Sequence, residues 1–174
     1  MARKVLAAYA TRYGSTKETM EVVGERLRER GFEVSVRPAK EVTSIEGVDA
    51  VVLGVPLYIG RWLKDGQRFL SGHAEDLARL PVAVLSLGPL APQEEAQGAR
   101  EQFDKELAKY PQLRPVATGV FGGKFDPATL GFLDNLLTKL PASPLYQRPA
   151  SDARDWDAIR AWAEALADRL TADD

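Results

Sequence analysis

The stretch Lys4-Val5-Leu6-Ala7-Ala8-Tyr9-Ala10-Thr11-Arg12-Tyr13-Gly14-Ser15-Thr16 joins a short, largely apolar run to a hydroxyl-rich turn holding one glycine. An apolar run of that length reads as a strand buried on both faces of a parallel sheet. Behind the turn, from Ser15 to Arg30, Met20, Val22, Val23 and Leu27 fall near helical spacing, and the segment stops at Gly31, a natural helix terminator. Strand, tight turn and helix form the first unit of an α/β alternation.

The alternation continues. Phe32-Glu33-Val34-Ser35-Val36-Arg37 alternates apolar and polar residues before Pro38, as an edge strand does. Ala50 to Val55, Pro81 to Leu87 and Val116 to Phe121 are further strands, five in all. Helical patterns fill the gaps: Leu63 to Leu70; Ala96, Ala99, Phe103 and Leu107 on one face; Pro127 to Leu140; and a last helix from Asp152 with Trp156, Ile159, Trp162, Leu166 and Leu170 at spacings of three and four. The fold class expected is α/β, a doubly wound five-stranded parallel sheet with helices on both faces and right-handed crossovers. At 174 residues with 45% hydrophobic content, a single domain over residues 1–174 can bury its own core without cross-links. Leu130, Phe132, Leu133, Leu136, Leu137 and Leu140 are expected in that core, and His73 at a helix end.

Composition removes several chemistries. With no cysteine, disulfides, thiol catalysis and Cys-ligated metals are excluded, and one histidine leaves no histidine metal cluster; no metal site is expected. Lys+Arg 23 against Asp+Glu 25 gives no electrostatic case for a nucleic-acid partner. Val5 to Ala8 is too short for a signal-peptide core, so a cytoplasmic protein is expected. Redox chemistry here would need a bound cofactor, with no catalytic side chain assigned.

In a sheet of order 2-1-3-4-5, ligands bind beyond the strand ends between strands one and three. Three loops meet there. The first, Thr11-Arg12-Tyr13-Gly14-Ser15-Thr16, offers hydroxyls and the free N–H groups of a helix start, which attract a phosphate. Ser15 and Glu18 also have the S-x-x-E spacing of a capping box, which satisfies a helix start with no ligand. The turn lacks the G-x-x-x-x-G-K-[ST] of a triphosphate loop and the G-x-G-x-x-G of a dinucleotide site. Strand three ends Leu53-Gly54-Val55-Pro56, without the acid of a phosphate-accepting receiver. The second loop, Pro56-Leu57-Tyr58-Ile59-Gly60, places an aromatic and two aliphatic side chains beside the first, where a flat ring could stack. The third, Ser86-Leu87-Gly88-Pro89-Leu90, carries a glycine where backbone can approach a ring edge. Together they suit a mononucleotide, and FMN is the one expected.

On these residues the chain resembles the flavodoxin-like family, with Thr11 to Thr16 similar to its FMN phosphate loop. The resemblance implies that Leu57, Tyr58, Ile59 and Gly60, with Leu87, Gly88, Pro89 and Leu90, flank the isoalloxazine. A closer resemblance is to flavodoxin-type protoporphyrinogen oxidases, which pass electrons to menaquinone. It rests on the T-R-x-G-x-T turn, on Gly54-Val55-Pro56-Leu57-Tyr58-Ile59-Gly60, and on Gly119-Val120-Phe121-Gly122-Gly123-Lys124-Phe125-Asp126. It implies an oxidoreductase with quinone or oxygen as acceptor, Arg12 as a charge partner of the phosphate, and Gly122 to Phe125 on the substrate side. In that branch the segments after strands four and five are basic, whereas Ala91-Pro92-Gln93-Glu94-Glu95 here is mixed to acidic, which weakens the case for peripheral membrane contact. The partner expected is a small-molecule redox substrate or, for an electron carrier, a redox protein. A module without FMN is the third alternative.

Overall fold

The computed structural model describes residues 1–58, 60–88, 94–143 and 145–172, with the side chains of residues 94–96 left out. Strand β1 (Lys4–Tyr9) leads through the Thr11–Thr16 turn into α1 (Ser15–Glu29), followed by β2 (Glu33–Pro38), a 3-10 turn at Ala39–Glu41, and β3 (Ala50–Gly54). A hairpin, β4 (Leu57–Tyr58) and β5 (Arg61–Trp62), precedes α2 (Lys64–Gly72), α3 (Ala74–Leu77) and β6 (Val82–Leu87). Then come α4 (Glu94–Leu107), β7 (Ala117–Phe121), β8 (Lys124–Phe125), a 3-10 turn at Pro127–Thr129, α5 (Phe132–Leu137), β9 (Ser151–Asp152) and α6 (Trp156–Ala172).

The main sheet has the order β2-β1-β3-β6-β7 with every pair parallel, which is 2-1-3-4-5 of the core strands. The doubly wound arrangement expected from the strand pattern is therefore present. Period-two geometry divides β1 between two cores. Val5, Ala7 and Tyr9 pack with Met20, Val23 and Leu27 of α1 and Ile159, Leu166 and Leu170 of α6. Leu6 and Ala8 face the other layer with Phe69, Leu70, Trp62 and Phe103. β2 alternates half-buried and exposed positions, as its alternating sequence requires of an edge strand. Gly31, at φ +91°, ends α1 in the left-handed region. The ring Nε2 of His73, between α2 and α3, lies 3.2 Å from the Val42 carbonyl oxygen, and its side chain caps neither helix.

The expectation of one helix over Pro127 to Leu140 is corrected. Asp126 caps a 3-10 turn through the Ala128 N–H at 2.9 Å, and Leu130 and Gly131 are extended before α5 begins. Pro127 suits the first position of that turn, and the extended Leu130 and Gly131 interrupt the helical path. The burial expected for this segment is overturned at four of its six apolar residues: Phe132 and Leu133 are 85% and 71% exposed, Leu136 and Leu140 are exposed as well, and Leu130 and Leu137 are half-buried. Of the six residues of α5, the one that is buried is Asp134.

β8 and β9 form a two-stranded ribbon that draws the chain after β7 beside the segment before α6. Contact is tight: a Cβ on Gly122 would fall 2.1 Å from the Ala153 carbonyl oxygen, so only glycine fits. Among the described residues no helix is long and apolar enough to cross a membrane.

Candidate functional site

The turn after β1 is shaped by Gly14, whose φ of +94° lies in the left-handed region. Its N–H donates to Thr11 Oγ1 at 2.9 Å, and its carbonyl accepts the Glu18 N–H at 3.0 Å. Helix α1 therefore starts at Ser15, so the N–H groups of Ser15, Thr16 and Lys17 have no acceptor within the helix. Gly14 is the cap residue, without a side chain to offer, and the capping box expected as the ligand-free alternative does not form. Glu18 turns away to Arg154 Nη1 at 2.8 Å and Lys124 Nζ at 3.5 Å.

One atom here is decisive. Thr16 is fully buried, and its hydroxyl is one of two buried side-chain polar atoms without a hydrogen-bond partner among the described residues. A buried hydroxyl left unpaired costs about 1–3 kcal/mol, so such atoms mark strain or a missing partner. This one sits in the first turn of a helix, where free N–H groups and the dipole favour an anion. The residues present fit a phosphate.

Arg12, Tyr13, Ser15, Thr16, Pro56, Leu57, Tyr58, Leu87 and Gly88 line a single cleft at this end of the sheet. It lies between β1 and β3, where strand order reverses. Thr11, Gly14 and Gly60 shape turns and do not line it. Ser86 is buried beneath Trp62, whose indole N–H donates to its hydroxyl at 3.0 Å, so its side chain serves the core. Ile59, Pro89 and Leu90 fall outside the described residues. The Gly88 N–H is committed to the Phe121 carbonyl at 2.7 Å, so that donor is not offered to a ring edge.

Three features escape a reading of the sequence. The far wall is built by residues after β7: beyond Gly123, Lys124 and Phe125, it includes Asp126, Thr129, Leu130, Asp134 and Leu145. Arg12 turns to Asp134, with Nη2 2.8 Å from Oδ2, and its guanidinium lies 4.4 Å over the Tyr58 ring. The third is Arg154, only 8% exposed, which grips both Asp152 oxygens at 2.8 and 2.7 Å, reaches the Ser15 carbonyl at 3.1 Å, and lies 4.5 Å over Trp156. The signal for Asp134 was available: a lone acid in Phe132-Leu133-Asp134-Asn135-Leu136-Leu137 is costly unless paired.

Hydrogen bonding from the Arg154 side chain holds the Asp152 carboxyl below the ordinary carboxylate range, against the opposing effect of burial. A depressed folded-state pKa contributes stability that is present above the unfolded value and lost as pH falls through the folded one. Acidification below about pH 4 is therefore expected to loosen the β8–β9 ribbon before the sheet. Residue-resolved hydrogen exchange as a function of pH checks this, with Lys124, Phe125 and Ala153 as reporters.

A flavodoxin domain model matches residues 6–149, most of the chain. The chain belongs to the flavodoxin domain family. No curated protein matches it. Among solved structures, it is similar to a variant of flavodoxin from Pseudomonas aeruginosa, at 17% identity and a TM-score of 0.61 over 97% of this chain and 99% of the other. The Streptococcus pneumonia TIGR4 flavodoxin matches at 17% identity and a TM-score of 0.58, covering 98% and 99%. The rubredoxin oxygen:oxidoreductase from Desulfovibrio gigas matches at 15% identity and 0.57, where 97% of this chain covers 36% of that longer one. Identities this low support the flavodoxin fold alone.

Proposed function

We propose that this flavodoxin domain binds FMN in the cleft and works as an oxidoreductase on a small-molecule redox substrate. Flavodoxins are FMN-binding proteins, and the unpartnered buried hydroxyl of Thr16, beside free helix-start N–H groups, is the observation that carries the reading. When bound, FMN supplies the transfer of reducing equivalents between a substrate and a second acceptor. Thr16 Oγ1 and the N–H groups of Ser15, Thr16 and Lys17 would hold the phosphate, with Leu57 and Tyr58 beside the ring. Phe125, Leu130 and Leu145 supply the apolar part of the opposite side of the cleft. No proton-transfer role is assigned to a side chain among the described residues, and the protein contributes binding and orientation. A cytoplasmic setting and a single domain over residues 1–174 belong to the same proposal.

The wall after β7 favours a small substrate, since it turns an open edge into a cleft. Protoporphyrinogen, with menaquinone or oxygen as acceptor, is the first substrate to test, on the strength of the three sequence motifs. The second reading is an electron carrier for a redox protein, favoured by the exposed Phe132 and Leu133 near the cleft. Steady-state turnover of protoporphyrinogen IX with menadione separates them. The enzyme reading expects saturation and product formation over many cycles, whereas a single stoichiometric exchange contradicts it. A protein that retains no flavin and cannot be reconstituted would be an FMN-free module.

A further inference from the structure

Asp134 joins parts of the cleft that lie far apart in sequence. It is 4% exposed, although its neighbours on α5 stand in water. Oδ1 accepts from the Tyr58 hydroxyl at 2.9 Å, and Oδ2 pairs with Arg12 and accepts from the Tyr13 hydroxyl. Arg12 Nε also donates to the Tyr13 hydroxyl oxygen at 3.1 Å. The carboxylate therefore gathers two residues of the phosphate turn and one of the β4–β5 hairpin onto a helix of six residues.

A helix that short is not stable by itself, and α5 gains little from burial because Phe132, Leu133 and Leu136 are exposed. A buried carboxylate persists only when both oxygens are compensated, and here they are. We propose that Asp134 is a positioning residue that holds residues 126–143 and 145–146 against the cleft. Through it, Leu130 and Leu145 stay in place as the wall on the substrate side, and Tyr58 is fixed beneath the Arg12 guanidinium. Arg12 thereby spends its charge on this contact rather than on a phosphate. The identity of what the cleft admits rests on the proposed function; the latch itself does not.

Two variants test it. Asp134→Ala removes every contact, whereas Asp134→Asn keeps an acceptor for Tyr58 and loses the charge facing Arg12. Hydrogen exchange of the apoprotein is expected to speed up about tenfold over 127–146 in Asp134→Ala and by less in Asp134→Asn, with Val82–Leu87 unchanged. Unchanged exchange over 127–146 in both variants overturns the latch. In FMN-loaded protein that has been photoreduced, reoxidation by menadione is expected to need about tenfold more menadione for half-saturation in Asp134→Ala. Its limiting rate should stay within about twofold. A half-saturation point that does not move overturns the link to the substrate wall. Failure of the unmodified protein to hold FMN counts against the cofactor reading, while the exchange measurement still decides the latch.

Discussion

Replacing Thr16 by valine is expected to weaken FMN binding by about ten- to a hundredfold while leaving the apoprotein as stable as before or slightly more so. The substitution preserves volume and branching at a fully buried position and removes only the hydroxyl. Without a ligand that hydroxyl has no partner, so its loss relieves a desolvation penalty. With FMN bound, the same hydroxyl would donate to a charged phosphate oxygen, a contact worth about 1.5–3 kcal/mol. The two signs are opposite, which separates a ligand contact from a structural one. Riboflavin, which lacks the phosphate, should bind both proteins equally. Fluorescence titrations with FMN and riboflavin, beside urea denaturation of the apoproteins, make the comparison; equal FMN affinity for both would remove Thr16 from the site.

Arg154→Ala carries the largest expected cost in stability, about 2–4 kcal/mol. The guanidinium is nearly buried and joins Asp152 before α6 to Glu18 and the Ser15 carbonyl in the first turn of α1. Its removal leaves Asp152 and Glu18 facing each other across the vacated space, although their partial exposure moderates the loss. It also uncovers Trp156. Urea denaturation should show the loss as a lower midpoint with an unchanged slope. Because Arg154 braces the same helix start that offers N–H groups to a phosphate, FMN affinity should fall with it. Stability unchanged within about 0.5 kcal/mol would mean the ion-pair cluster contributes only surface electrostatics.

What the sequence made legible follows from periodicity. Lys4–Tyr9, Ala50–Gly54 and Val82–Leu87 are short apolar runs whose burial on both faces has no other economical solution than a parallel sheet. Strand order then places the Thr11–Thr16 turn at the switch point. What escaped came from long-range pairing. Arg154 and Glu18 are 136 positions apart and Tyr13 and Asp134 are 121 apart, and no local pattern links them. The Phe132–Leu137 segment misled because a helical apolar stripe ordinarily means core. Here a polar anchor, Asp134, fastens the helix over a cleft and leaves that stripe in solvent. The S-x-x-E spacing, the ligand-free alternative for the turn, forms no capping box: Gly14 is the cap, and Glu18 answers a distant arginine.

Whether the cleft beside Thr16 holds FMN is decided by titrating the purified, flavin-stripped protein with FMN. Saturable quenching of flavin emission at one equivalent is expected, abolished by competing inorganic phosphate only at high concentration. A protein that carries no flavin on purification and leaves FMN emission unchanged across the titration would contradict it.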